Sequence, residues 1–188
     1  MPELDRSEPG RAVLDDLLDH RIREIADWPA PGVVFRDITP LLADPAGIPA
    51  VSAGFRAVLA AAGISGVDLV AGVEARGFVL GAPLAVSMGI GFVPVRKEGK
   101  LPGDVRAESY ALEYGTATLE IQVDAVAAGH RVLVVDDVLA TGGTAAAAAS
   151  LLRDAGAEVV GVAVLLELAA LGGRAALGDL TLVALRTL

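Results

Sequence analysis

The chain has 188 residues, 54% of them hydrophobic, and a formal net charge of -9 at pH 7. That length suits one domain with a real core, and the charge argues against a nucleic-acid or anionic-membrane surface. No cysteine is present, which excludes a disulfide framework and a thiolate metal site.

Residues 1–10 contain Pro2, Pro9 and Gly10 without an apolar period and are expected to be loosely attached. The acidic start, Met1-Pro2-Glu3-Leu4-Asp5, is unlike a secretory signal, so a cytoplasmic location is expected. From Arg11 to Ala26, Leu14, Leu17, Leu18, Ile22 and Ile25 keep helical spacing and predict an amphipathic helix, with His20 a surface residue. Trp28-Pro29-Ala30-Pro31-Gly32 stops it, and Val33 to Leu42 reads as a short edge strand.

Ile48 to Ala62 is helical and ends at Gly63; Asp68 to Val73 is a buried strand. Glu74-Ala75-Arg76-Gly77-Phe78 follows, and a further helix runs to Met88 and Gly89. A strand-turn-helix of this kind points a helix N-terminus at an anion, and Arg76 can fork onto phosphate.

Gly91 to Val95 is the next strand. It leads into a loop-like segment with Arg96, Lys97, Lys100 and Arg106, and Lys97 and Lys100 are the only lysines. A mobile loop with ammonium groups suits closure over phosphate. Ser109–Gly115 and Thr116–Gln122 alternate as an antiparallel pair would, with Tyr110, Leu112 and Tyr114 on one packing face and Glu113 on the other.

The stretch Arg131 to Thr144 is the most informative. A β-branched apolar run ends in Asp136-Asp137, then Val138-Leu139-Ala140-Thr141-Gly142-Gly143-Thr144 turns into an alanine-rich helix reaching about Ala155. Paired glycines let backbone N–H groups converge, and the helix start adds partial positive charge. Thr141 and Thr144 add hydroxyl donors, which makes a nest for a phosphate monoester. The two acids stand where strand ends meet ligands in open α/β sheets, where they could hold ribose hydroxyls or a hydrated Mg²⁺. The same run could be the magnesium strand of a P-loop NTPase, but no G-x-x-x-x-G-K-[ST] occurs. Glu158 to Leu166 is a further buried strand, too short to span a bilayer and followed by Glu167, and Leu180 to Leu185 closes the sheet.

The apolar run, double acid and T-G-G-T together resemble the phosphoribosyl-pyrophosphate (PRPP) signature of the type I phosphoribosyltransferases. Beside it, P-G-V-V-F-R-D-I-T-P-L-L at 31–42 looks like the adenine phosphoribosyltransferase family. The Glu-Ala-Arg-Gly-Phe segment is similar to that family's pyrophosphate loop, and Glu167 to Arg174 resembles its following segment. The resemblance covers roughly residues 20 to 180; the ending Leu185-Arg186-Thr187-Leu188 lacks the aromatic close of relatives, and the N-terminus is somewhat long.

The resemblance implies an α/β fold, a Rossmann-like parallel sheet flanked by helices. One domain spans 1–188, with a small N-terminal hood at about 28–42 and a flexible catalytic loop and hairpin at about 96–115. It implies transfer of the phosphoribosyl group of PRPP to adenine with Mg²⁺ as cofactor, and a homodimer. Asp136 and Asp137 would hold the ribose, and Ala140, Thr141, Gly142, Gly143 and Thr144 the 5′-phosphate. Glu74, Ala75, Arg76, Lys97 and Lys100 would serve pyrophosphate, with a non-proline cis peptide at Glu74–Ala75. Phe35 would stack on the base, with main-chain groups around Val34 and Arg36 reading its edge. Glu113 would manage the proton on N7, since Ala140 stands where 6-oxopurine enzymes carry an acid. That substitution favours adenine over hypoxanthine or guanine. The rivals are a PRPP-sensing regulator, for whose helix-turn-helix the acidic N-terminus has no room, and the same chemistry on another base.

Overall fold

The computed structural model describes residues 9–111 and 115–188. Of the expected loose segment, residues 1–8 lie outside that range, and Pro9 and Gly10 begin helix α1 (Pro9–His20). The helix expected to reach Ala26 stops at His20, and Arg23–Ala26 is instead strand β1. It pairs antiparallel with β2 (Val34–Asp37), placing Arg23 opposite Asp37, Glu24 opposite Arg36 and Ile25 opposite Phe35. Ile22 and Ile25 keep the helical period, but cross-strand partners decide the conformation. The connecting turn contains Asp27 at φ 58° and a cis Trp28–Pro29 bond. The edge strand expected over 33–42 is also shorter. It ends at Asp37, whose carboxylate accepts the Thr39 N–H at 2.9 Å, and α2 (Thr39–Ala43) begins with a proline in its first turn.

The main sheet has seven strands in the order β5-β6-β4-β3-β7-β8-β9. These are β3 (Leu69–Val73), β4 (Gly91–Lys97), β5 (Val105–Ala111), β6 (Thr116–Gln122), β7 (Arg131–Leu139), β8 (Glu158–Glu167) and β9 (Leu182–Thr187). Five run parallel, β4-β3-β7-β8-β9. The β5–β6 hairpin adds antiparallel at the β4 edge, with Ser109 opposite Thr118. The segment expected to be loop from Arg96 to Arg106 is therefore shorter: Arg96 and Lys97 finish β4, and Val105 and Arg106 open β5.

Strand alternation builds two apolar layers. Val132 and Val134 face α5 (Gly143–Asp154), where Ala145, Ala148 and Ala149 are small enough to bring the helix close. Leu133 and Val135 face the opposite layer with Phe55 of α3 (Gly47–Ala61), Leu80 and Leu84 of α4 (Arg76–Met88), and Leu14 of α1. A fully buried leucine or phenylalanine contributes about 1.5–3 kcal/mol. A surface ion pair such as Arg11–Asp15 contributes about 0–1 kcal/mol. The two layers hold the fold.

Within the parallel strands, chain order reverses between β3 and β7, since β4 lies on one side and β8 and β9 on the other. Ligands of open α/β sheets bind at such a switch point, beyond the carboxyl ends of the strands. The turns that leave β3 and β7 are Glu74–Ala75 and Ala140–Gly142, the two segments singled out from sequence.

Candidate active site

Arg76, first residue of α4, lies at the switch point. Its Nε is 2.5 Å from Asp137 Oδ2, which is buried and has no aligned hydrogen-bond donor among the described residues. Its guanidinium carbon stands 4.9 Å from the centroid of Phe35, in the cation–π range. One side chain thus joins the hood to the acids of β7. Helix α4 can start this close because residue 77 is glycine: a Cβ there would lie 2.6 Å from the Val135 carbonyl oxygen and 3.2 Å from Asp136 Oδ1.

Burial, and then the Asp137 carboxylate, pushes Asp136 well above the ordinary carboxylate range; the Asp137 N–H, 2.9 Å from its Oδ1, and Arg76 act the other way. The Asp136 side chain keeps some exposed surface, but its dense surroundings govern the proton. Two crowded carboxylates, one with an orphaned buried oxygen, are a donor set that a cation or ribose hydroxyls would satisfy. Among the described residues no group of three or more His, Asp or Glu side chains could cage a metal. Mg²⁺ carried by substrate phosphates and water fits such a pair.

The glycine turn after β7 has the expected form. Gly142 takes φ 84° as N-cap of α5, and Gly143 opens the helix. Tyr110 of β5, expected only to pack, also lies 3.1 Å from the Thr144 hydroxyl and ties the hairpin to the helix start.

The Glu74–Ala75 peptide is cis, as the resemblance implies. The Glu74 carboxylate, only 9% exposed, gathers donors from the end of β4 and the turn that follows it. It pairs with Lys100, accepts from Arg96 Nε at 3.3 Å and takes the Lys97 N–H at 3.0 Å. Burial alone would raise its pKa, but these donors, Lys100 foremost, bring it below the ordinary value. Glu74 therefore organises the cations that would meet an anion. Glu120 of β6, which the sequence reading did not single out, is also buried and accepts the Gly99 N–H at 3.0 Å. A lone acid in an alternating strand carries no signal of this contact.

In the hood, Trp28 and Phe35 meet edge to face with centroids 4.4 Å apart. Val34 is exposed, and Arg36 pairs with Glu24, its Nε buried without a hydrogen-bond partner among the described residues. Glu113, with its neighbours Leu112 and Tyr114, lies outside the described residues.

The sequence profile of the phosphoribosyl transferase domain matches residues 59–175. An adenine phosphoribosyltransferase of Streptomyces coelicolor is 58% identical over 87% of this chain and 88% of its own length. The chain belongs to the adenine phosphoribosyltransferase family. A Frankia alni relative of the same name is 53% identical over the full length of both chains. The crystal structure of the Thermoanaerobacter pseudethanolicus enzyme superposes with a TM-score of 0.85 at 45% identity, covering 93% of this chain and 99% of that one. The Saccharomyces cerevisiae enzyme, solved with an imino-altritol bisphosphate and adenine, gives a TM-score of 0.88 at 36% identity over 93% and 99% of the two chains. The matched stretch, residues 59–175, contains both turns at the switch point.

Proposed function

We propose that this protein transfers the 5-phosphoribosyl group of PRPP to N9 of adenine, giving AMP and pyrophosphate in purine salvage. The observation that carries the reading is the double engagement of Arg76, which reaches Asp137 on the sheet and Phe35 in the hood. Base, ribose and pyrophosphate sites then share one point.

In the reaction the C1′–O bond to pyrophosphate breaks and the N9–C1′ bond forms, through an oxocarbenium-like state. The turn from Ala140 to Thr144 holds the 5′-phosphate through backbone N–H and hydroxyl groups. Asp136 and Asp137 hold the ribose hydroxyls and face the positive charge that develops on the sugar. Arg76, Lys97 and Lys100 take the charge of the departing pyrophosphate, with Glu74 fixing the lysine turn. Phe35 covers the face of the base, main-chain groups of Val34 and Arg36 read its edge, and Glu113 holds the N7 proton. Mg²⁺, when bound through water near Asp136 and Asp137, supplies charge neutralisation to the pyrophosphate oxygens. A cytoplasmic homodimer is part of the same reading, supported by the family resemblance.

The test is an absorbance assay with PRPP and Mg²⁺, offering adenine, hypoxanthine and guanine separately. Turnover with adenine alone is expected. Turnover with another base at equal or better kcat/KM would overturn the base assignment, and PRPP binding without turnover would make the protein a sensor.

A further inference from the structure

The phosphate turn rests on a second glycine backbone. A Cβ on Gly142 would lie 2.9 Å from the Ala176 Cβ, and one on Gly173 would lie 3.1 Å from the Gly142 nitrogen and 3.0 Å from Leu139 Cγ. The main chains of Gly142 and Gly173 therefore touch with nothing between them, and a shift of one moves the other.

What fixes Gly173 is the next residue. Arg174 donates from Nε at 2.5 Å and from a terminal nitrogen at 2.7 Å to the two oxygens of Glu167, a bidentate fork. Glu167 ends β8, lies opposite Leu139 of β7, and its side chain is 6% exposed. The Thr187 hydroxyl, 3.2 Å away, holds the second oxygen from β9. The carboxylate is thus anchored to the sheet on one side and grips the glycine segment on the other. None of these groups belongs to the catalytic set above. With the Arg174 side chain 46% exposed, the ion pair adds little net stability, but its fork specifies one position of the backbone it holds.

We infer that the Glu167–Arg174 pair positions the 5′-phosphate turn, acting through the Gly173–Gly142 contact. The inference rests on the reading of that turn as the phosphate site. Misplacing a binding group by a fraction of an ångström to one ångström costs up to about 100-fold, so a loosened turn should raise KM for PRPP by about tenfold in Arg174→Ala and in Glu167→Gln. With the machinery itself intact, kcat at saturating PRPP and KM for adenine should stay within about twofold. Arg174→Lys keeps the charge but loses the fork, and should fall between wild type and Arg174→Ala.

Product inhibition supplies the decisive readout. AMP carries the 5′-phosphate and pyrophosphate does not, so the variants should weaken inhibition by AMP while leaving inhibition by pyrophosphate unchanged. Equal weakening of both, or a lowered melting temperature with both unchanged, would overturn the inference. If Arg174→Ala does not fold, Arg174→Lys and Glu167→Gln carry the same comparison. Failure of AMP to bind the unsubstituted protein would instead overturn the phosphate reading of the turn.

Discussion

Asp136 is held in a setting that favours its protonated form, beneath a helix start and beside a second carboxylate. A carboxyl whose folded-state pKa lies above its unfolded value binds its proton more tightly when folded. Its stabilising contribution is therefore full at low pH and is lost as pH rises from the unfolded pKa through the folded one. At neutral pH the fold bears that strain. Asp136→Asn removes the ionisation and keeps the shape. The variant should melt at a higher temperature than wild type at pH 7, and the difference should shrink as pH falls below the folded pKa. On the proposed function the same change would take a charged acceptor from the ribose hydroxyls, worth about 1.5–3 kcal/mol, so kcat/KM for PRPP should fall by about 10- to 100-fold. An Asn variant less stable than wild type at pH 7 would show that the carboxylate is not strained.

At the scale of elements, the hood is a two-stranded ribbon that cannot be stable alone and is pinned by Asp37. That side chain pairs with Arg23 at 2.6 Å and caps the turn into α2. Hydrogen bonds from Thr39 first, and then Arg23, lower its pKa from 3.8 to about 2. A depressed acid contributes stability that is present above its unfolded pKa and lost as pH falls through the folded one, here between about 4 and about 2. Trp28 is the only tryptophan and sits on Phe35, so its fluorescence reports the hood. The melting midpoint seen by Trp28 should be lower in Asp37→Asn at neutral pH, and the gap should close between pH 4 and pH 2; a constant gap would remove the ionisation of Asp37 from the account. The hood is also where sequence reading fell short. Its β2 wording was visible, but β1 was hidden because Ile22 and Ile25 satisfy a helical period as well as a strand pairing. The parallel strands were legible because strands buried on both faces are written as apolar runs. The placement of Arg76, Asp136, Asp137 and the glycine turn at strand ends was legible because each closes or directly follows an apolar run. Glu120 and Tyr110 act through contacts made by distant segments, and a contact of that kind leaves no mark in local spacing.

For the molecule as a whole, polar and aromatic contacts add to the apolar layers, which already hold Ile38 and Leu41 next to the hood and Leu119 and Ile121 of the hairpin. The hood touches the sheet site through the Arg76–Phe35 contact, and the β5–β6 hairpin touches the phosphate helix through Tyr110 and Thr144. On the proposed function PRPP with Mg²⁺ would engage both strand-end turns at once, so its binding energy would add directly to the free energy of unfolding. At ligand about a hundredfold above Kd this amounts to about 2.7 kcal/mol, or a rise of about 5–10 °C in melting temperature for a chain of this size. Adenine alone should give a smaller shift, because Arg76 stands over the Phe35 ring proposed to take the base. Once pyrophosphate oxygens draw Arg76 away, the ring is free, and a base analogue added with PRPP should raise the midpoint beyond the sum of the separate shifts. Differential scanning fluorimetry with PRPP, with 9-deazaadenine and with both, each in Mg²⁺, measures all three quantities. Shifts that merely add would mean that Arg76 does not couple the two sites. A base-analogue shift as large as that of PRPP would mean that the ring is open from the start.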